Sequence, residues 1–221
     1  MEQQSKGGEI TSIQQQKNNP HRFNIYIQNE YAFSVHEDVM VKHRLLKGQV
    51  LDEQKIVYIS QEEELHAAYA AAVRYLGRRP RTRHEISVKL ADLGYEPEQI
   101  QWVTDRLTEQ RWIDDLDFAQ RFAADKIRLQ KKGTKWIQFE LKKKGISPQL
   151  IDEALRQVSK KDELEQAVSV GLKKWKQFDG KPLPERKAKT IQYLMRRGYP
   201  GEISRMALQR LMDEDEDAQL E

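Results

Sequence analysis

The 221-residue chain contains no cysteine, which removes disulfide staples, thiol nucleophiles and cysteine-based structural zinc together. It also lacks any apolar run approaching the roughly 18 to 20 residues that span a bilayer. The polar start MEQQSKGGE has no basic region followed by an apolar one, so no secretory leader is read there and a cytoplasmic protein without a membrane partner is expected. No Gly-x-x-x-x-Gly-Lys-Ser/Thr loop is present, hence no recognisable nucleotide cradle. His36-Glu37 and His84-Glu85 open like a zinc-protease helix, but Met40 and Val88 stand where the second histidine belongs. No metal, no cofactor and no catalytic constellation are expected, and the chain is read as a non-enzyme.

Charge of one sign is not in excess either. Lys and Arg number 38 against 35 Asp and Glu, a net of +3. With 38% hydrophobic and 33% charged residues, the chain can bury a core only as thin layers with heavily solvated outer faces. Small helical bundles or a solenoid fit that constraint.

What is present divides along the chain. Residues 1 to about 20 are rich in Gln, Asn, Lys and Gly, which favours disorder or an irregular strand, with Thr11-Ser12-Ile13 offering a third strand. Arg22–Ile27 and Tyr31–Val35 are rich in β-formers around a turn at Gln28-Asn29-Glu30, so a β-hairpin is expected. His36–Leu46 reads as a short helix ended by Leu46–Gln49. From Gln61 onward the period is helical: Leu65, Tyr69, Ala72 and Leu76 share one face, as do Leu116, Ala119, Ala123 and Ile127, widened by Phe118 and Phe122.

An internal repeat organises the rest. Leu90-Ala91-Asp92-Leu93-Gly94-Tyr95, Leu141-Lys142-Lys143-Lys144-Gly145-Ile146 and Leu194-Met195-Arg196-Arg197-Gly198-Tyr199 recur at a spacing long enough for three helices per unit. Gly94, Gly145 and Gly198 each fit the left-handed residue that stops a helix, and the residues flanking them supply the apolar pair of a Schellman end. Thr82 and Glu85 form a capping-box candidate, Ser147-Pro148 a cap and first residue, and Asp114 or Asp115 a cap for the helix carrying Phe118 and Phe122. Adjacent carboxylates on a helix point about 100° apart, so Asp114 and Asp115 are better caps than a catalytic pair. Ile86 with Leu90, Ile137 with Leu141, and Ile100 with Val103 and Leu107 supply inward stripes. The third unit is interrupted by a loop at Phe178–Pro184.

The fold class that follows is mainly α: three tandem three-helix repeats forming an elongated stack, with a small N-terminal β-hairpin or meander. The expected segments are 1–60 for the β extension with its short helix, then 61–112, 113–159 and 160–221 for the repeats, the last ending in an acidic tail. Stacking should supply much of the stability. A monomer is expected.

Basic runs are the strongest functional signal in the residues themselves. Residues 126–144 hold Lys126, Arg128, Lys131, Lys132, Lys135, Lys142, Lys143 and Lys144 against Glu140 alone. Arg78, Arg79, Arg81 and Arg83 crowd the matching turn of the first unit. If both turns open onto one surface they form a positive strip suited to phosphates or an acidic protein groove; a merely solubilising face is the bland alternative. The four tryptophans are read as core or interface anchors before base-stacking platforms, with Trp112 a candidate hydrophobic staple. Residues 213–221 carry six acidic residues and no basic one, a solvated end that would also be able to compete for the basic strip.

The run Trp112-Ile113-Asp114-Asp115-Leu116-Asp117-Phe118-Ala119-Gln120-Arg121-Phe122, then Lys132-Gly133, then Ile137–Ile146, resembles the central repeat of the RecX family. The likeness extends upstream through Tyr75-Leu76-Gly77-Arg78-Arg79 and Glu85 to Leu90, Gly94 and Tyr95, covering roughly 62–158 well and the last unit more weakly. The Arg22–Val35 hairpin is similar to an extension common in members from Gram-positive bacteria. The chain departs from the family at Leu116 and Asp117, where members often carry Glu-Arg, and at Arg111, where they often carry glycine. The resemblance implies a non-enzymatic modulator that docks in the groove of the RecA nucleoprotein filament and alters its growth, disassembly, ATP turnover and strand exchange in recombination, DNA repair and the SOS response. Two other classes stay open on the residues alone: direct binding of single- or double-stranded DNA through basic turns, and a helical adaptor for some other protein.

Overall fold

The computed structural model describes residues 7–220. Four antiparallel strands come first: β1 (Gly8–Gln16), β2 (Asn19–Ile27), β3 (Glu30–His36) and, after the helix α1 (Glu37–Lys42), the two-residue β4 (Val50–Leu51), in the spatial order β3-β2-β1-β4. Ile10, Ile25, Ile27, Phe33 and Val35 point to one face and meet Val39, Leu45, Leu51, Ile56 and Ile59 in a single core. Gln28 and Asn29 form the loop between the paired residues Ile27 and Glu30, with φ of 52° and 67°. Two left-handed residues make the turn whose twist matches a hairpin.

Residues 8–16 form an interior strand with register shifts between Ile10 and Ser12 and between Gln15 and Gln16, in line with the irregular strand and the third strand read at Thr11-Ser12-Ile13, and not with disorder. Gln14-Gln15-Gln16 has no hydrophobic alternation to announce it. Pairing with β2 fixes it instead, together with the Gln16 amide, which donates to Asn24 Oδ1 at 2.7 Å and Ser34 Oγ at 3.2 Å. The helix read over His36–Leu46 is shorter, because Arg44 turns left-handed at φ 50°.

Helix α2 (Glu53–Leu76) begins well before Gln61, capped by Asp52, whose carboxylate accepts from Lys55 N–H at 2.7 Å. Its buried positions explain why the sequence hides its start. Ile56, Ile59 and Glu63 lie nearly opposite Ala68 and Ala72 around the helix at about 100° per residue, so no single stripe runs along it. The first half covers the sheet, and the second half packs with α4 (Pro97–Glu109) as the opening helix of the first repeat. Glu63, buried on the sheet side, accepts from His36 N–H at 2.7 Å and pairs with Arg22 at 2.8 Å.

The remaining helices are α3 (Arg83–Asp92), α5 (Asp115–Gln130), α6 (Thr134–Lys143), α7 (Pro148–Leu155), α8 (Lys160–Gln177), α9 (Leu183–Arg196) and α10 (Gly201–Leu220). Contacts divide the chain into two compact units, one reaching to Arg79 and including Ser87–Glu109, the other made of Pro80–Ile86 and everything from Gln110. The opening turn of α3 thus belongs with the second unit. In the first unit Leu90, Val103 and Leu107 are fully buried. In the second, Ala119, Ala123, Ile137, Leu141, Ile146, Ile151 and Ala154 form the core of α5–α7. Leu164, Ala167, Val170, Leu194, Tyr199, Ile203 and Ala207 form that of α8–α10. Each fully buried large aliphatic side chain contributes about 1.5–3 kcal/mol.

Only one tryptophan meets the expectation of a core role. Trp175 is 1% exposed, whereas Trp102 and Trp112 are 47% and 57% exposed and Trp136 is half-buried. The acidic end is helical as far as Leu220, continuing α10. Its Asp215 bonds Arg186 at 2.9 Å, and that guanidinium lies 3.7 Å above the Trp175 ring. Asp215 is therefore engaged by a buried arginine of its own repeat and not by the basic turns.

Candidate partner-binding surface

The three middle helices α3, α6 and α9 end alike. Gly94, Gly145 and Gly198 have φ of 85°, 74° and 91°. The residue after each glycine returns its N–H to the leucine five back: Tyr95 to Leu90, Ile146 to Leu141 and Tyr199 to Leu194, each at 3.2 Å. This is the Schellman pairing, which also satisfies the helix's last carbonyls.

Two of these ends are built into joints within the second unit. At the first joint, the N-terminus of α3 meets α5 and the α6–α7 turn. Thr82 and Glu85 exchange side-chain-to-backbone bonds at 3.2 Å each, the reciprocal capping box. The Thr82 hydroxyl also donates to the Lys144 carbonyl at 2.7 Å, and Lys144 Nζ reaches Glu85 at 2.9 Å. Asp115 accepts the Arg83 N–H at 2.9 Å, while Asp114 caps α5 itself through Asp117 N–H. Burial pushes the Asp115 carboxyl above its ordinary value, against the opposing pull of the Arg83 N–H bond. A Cβ added at Gly145 would collide with the His84 side chain.

At the second joint, the N-terminus of α6 meets α8 and the α9–α10 turn. Glu163 accepts the Thr134 N–H at 2.8 Å. Gly133 N–H donates to the Arg197 carbonyl at 3.0 Å, and Lys135 N–H to the Gly198 carbonyl at 2.9 Å. Lys131, left-handed at φ 48°, has its carbonyl held by the Arg197 guanidinium and by the Tyr199 hydroxyl at 3.0 Å. Burial raises the Tyr199 hydroxyl to about 12, so it stays a donor at all ordinary pH.

The joints decide where the cations go. Within the second unit, Thr82, flanked by half-buried Arg81 and Arg83, is bonded to the α6–α7 turn, which follows exposed Lys142 and Lys143, while Arg78 and Arg79 are exposed in the first unit. The α5–α6 turn, carrying Lys131, Lys132 and Lys135, is bonded to the α9–α10 turn with Arg196 and Arg197. Lys131 and Lys132 on one side and Lys142 and Lys143 on the other therefore stand at opposite ends of α6, about 15 Å apart for ten residues. Lys135, Phe139 and Lys142 are exposed at i, i+4 and i+7, so one outer face of α6 links them. Lys144 is the exception among these lysines: its side chain is only 21% exposed and is used in the joint.

An aromatic row flanks the same helix. Phe118 and Phe122 stack at 6.1 Å with planes 14° apart, and Phe122 and Trp136 at 6.4 Å and 8°. Lys144, Lys126 and Lys132 lie 5.5, 5.1 and 4.5 Å from the centroids of Phe118, Phe122 and Trp136 respectively. Lys143 lies 4.4 Å from the exposed Phe139 ring. Ammonium groups held over ring faces gain electrostatic attraction while keeping their charge at the surface.

Family profiles match the chain in register with these elements. The RecX N-terminal domain matches residues 8–52, and the first, second and third RecX three-helix domains match 68–107, 114–155 and 161–208. The chain belongs to the RecX family. It is 33% identical over 212 residues to "Regulatory protein RecX" of Bacillus cereus strain B4264, covering 94% of this chain and 78% of the relative. It is likewise 33% identical to the Oceanobacillus iheyensis protein of that name, covering 96% and 79%. A crystal structure of regulatory protein RecX superimposes with a TM-score of 0.78 at 32% identity, covering 90% of this chain and 98% of that one. RecX from Lactobacillus salivarius gives 0.65 at 26% identity over 68% of this chain and 97% of that one. The RecX resemblance read from the central repeat thus extends through the third unit, and the family is one of regulatory proteins.

Sequence reasoning passed over Arg196 and Arg197, although both stand in the repeated motif just before Gly198, as Lys143 and Lys144 stand before Gly145. It also gave Asp115 to its own helix, where the structure gives it to α3. No helix among the described residues is long and apolar enough to cross a membrane.

Proposed function

We propose that the chain is a non-enzymatic regulator that binds the RecA nucleoprotein filament and modulates its assembly, ATP turnover and strand exchange. The surface in the second unit is assigned to Arg81, Arg83, Lys131, Lys132, Lys135, Lys142 and Lys143, with Lys144 braced within the joint; Arg78 and Arg79 are the first unit's candidates by charge. The observation that carries this reading is the outer face of α6, where Lys135, Phe139 and Lys142 are exposed along one stripe. Such a stripe suits a polyanionic or acidic groove, and charge complementarity there speeds encounter. The test is RecA's DNA-dependent ATP hydrolysis and strand exchange, measured while the protein is titrated below the concentration at which it coats DNA alone. A change at substoichiometric protein supports the reading, and none at any concentration refutes it.

Direct DNA binding is the second reading, favoured by the row Phe118, Phe122 and Trp136 with its lysines, since aromatic faces beside cations suit single strands. It requires tight binding to naked DNA with a steep salt dependence.

A further inference from the structure

We propose that His36, Asp38 and His66 form a binding site for a divalent transition metal of the zinc type. The three come from different elements. His36 ends β3 and caps α1, Asp38 lies in the first turn of α1, and His66 lies on α2. Their ligand atoms fall within 4.8 Å of one another. Asp38 Oδ2 sits between the histidines, 3.3 Å from His36 Nδ1 and 3.2 Å from His66 Nε2. Zinc bonds of 2.0–2.1 Å in a tetrahedron set ligand atoms about 3.3 Å apart, so the two separations from Asp38 suit a metal shared with each histidine.

His36 Nδ1 lies 3.3 Å from both the Asp38 N–H and the Asp38 Oδ2. A metal there would take the Nδ1 lone pair in place of the long N–H bond and would be held by imidazole and carboxylate donors of the kind zinc takes. Glu63, bonded to His36 N–H, anchors that residue from α2. The histidine side chains are 26% and 27% exposed and that of Asp38 is 70% exposed. The site is open to solvent on the Asp38 side, beside a pocket walled by Lys42, Leu65 and Trp102, which leaves room for water as a fourth ligand. A search for paired histidines along one helix misses this site, because its histidines stand thirty residues apart in sequence on separate elements.

Metal binding here ties α1 and the end of β3 to α2. The test uses the full chain after chelator treatment, with Zn²⁺ followed by calorimetry and Co²⁺ by its visible absorption. One Zn²⁺ per chain and cobalt bands of low coordination number are expected. H66A and D38N should weaken Zn²⁺ about tenfold or more with the circular dichroism spectrum unchanged, and H84A should leave binding as in the parent. The exposed Asp38 keeps the test valid if H66A does not fold. Equal affinity in parent and D38N, or an equal loss in H84A, overturns the proposal.

Discussion

The two joints perform one task with different chemistry. In both, a carboxylate from the first turn of the following repeat's opening helix, Asp115 or Glu163, accepts an N–H at the start of a middle helix. In both, the stop glycine of the following repeat, Gly145 or Gly198, sits against that helix start. They differ at the position before the helix. Thr82 reaches the neighbouring turn with its hydroxyl, whereas Gly133 reaches it with its backbone and has no room for a side chain. The acid and the glycine are therefore the invariant parts of the joint, and the residue before the helix is where each joint is tailored. Gly94 completes the contrast, because a Cβ there meets nothing within 4 Å.

The largest expected effect comes from filling the space at the glycines. Gly145→Val and Gly198→Val combine a left-handed β-branched residue with overpacking, and should lose roughly 2–5 kcal/mol. Gly94→Ala should lose only about 1 kcal/mol. Urea unfolding of the three variants measures this, and equal losses would break the distinction between jointed and open ends. The exchange of joint chemistry should be similarly asymmetric. Gly133→Thr drives a side chain into the Gly198 carbonyl and should cost about 1–3 kcal/mol. Thr82→Gly forfeits one hydroxyl bond and a cap, about 1 kcal/mol.

These contrasts also show what the sequence discloses. The repeat and its glycine stops are legible because a left-handed helix end between two apolar residues has few sequence solutions, and three copies lie in register. The capping box at Thr82 and Glu85 is legible for the same local reason. The joints are not, because Asp115 and Arg83, or Lys144 and Glu85, are brought together by stacking and no periodicity connects them. The start of α2 is hidden where the buried face changes sides between Ile59 and Ala68. Strand β1 is legible only at Thr11-Ser12-Ile13, because its glutamines are placed by pairing rather than by burial.

Acidity acts on the first joint through Asp115. With the folded carboxyl of Asp115 held above its unfolded value, the folded state binds the proton more tightly. Stability from this group is therefore greatest below the ordinary aspartate range and declines as pH rises through the raised value. Asp115→Asn keeps an oxygen to accept Arg83 N–H and removes that decline, so the stability advantage of the parent over the variant should shrink from pH 3 upward. Glu62 supplies the opposite sign in the first unit. Burial opposes its ionisation, but bonds from Lys42, His43 and Tyr58 outweigh that and hold it at about 2. Its stabilisation is complete above its unfolded value near 4.5 and is lost as pH falls toward 2. A pH series of unfolding midpoints for D115N and E62Q distinguishes the two.

The smallest effect is expected just ahead of α5. Arg111 is left-handed at φ 59°, and Arg111→Gly should gain about 0.5–1 kcal/mol of stability once strain relief is set against added chain entropy. A rise in melting temperature without change in binding is the expected result.

Charge reversal tests most directly the proposal that the exposed cations of α6, outside the joints, face a partner. Lys135→Glu, Lys142→Glu and Lys143→Glu combined should weaken affinity for the RecA filament at least about tenfold, as loss of several complementary charges does, with helicity and melting temperature unchanged. Filament affinity equal to the parent's would contradict the assignment of α6's outer face.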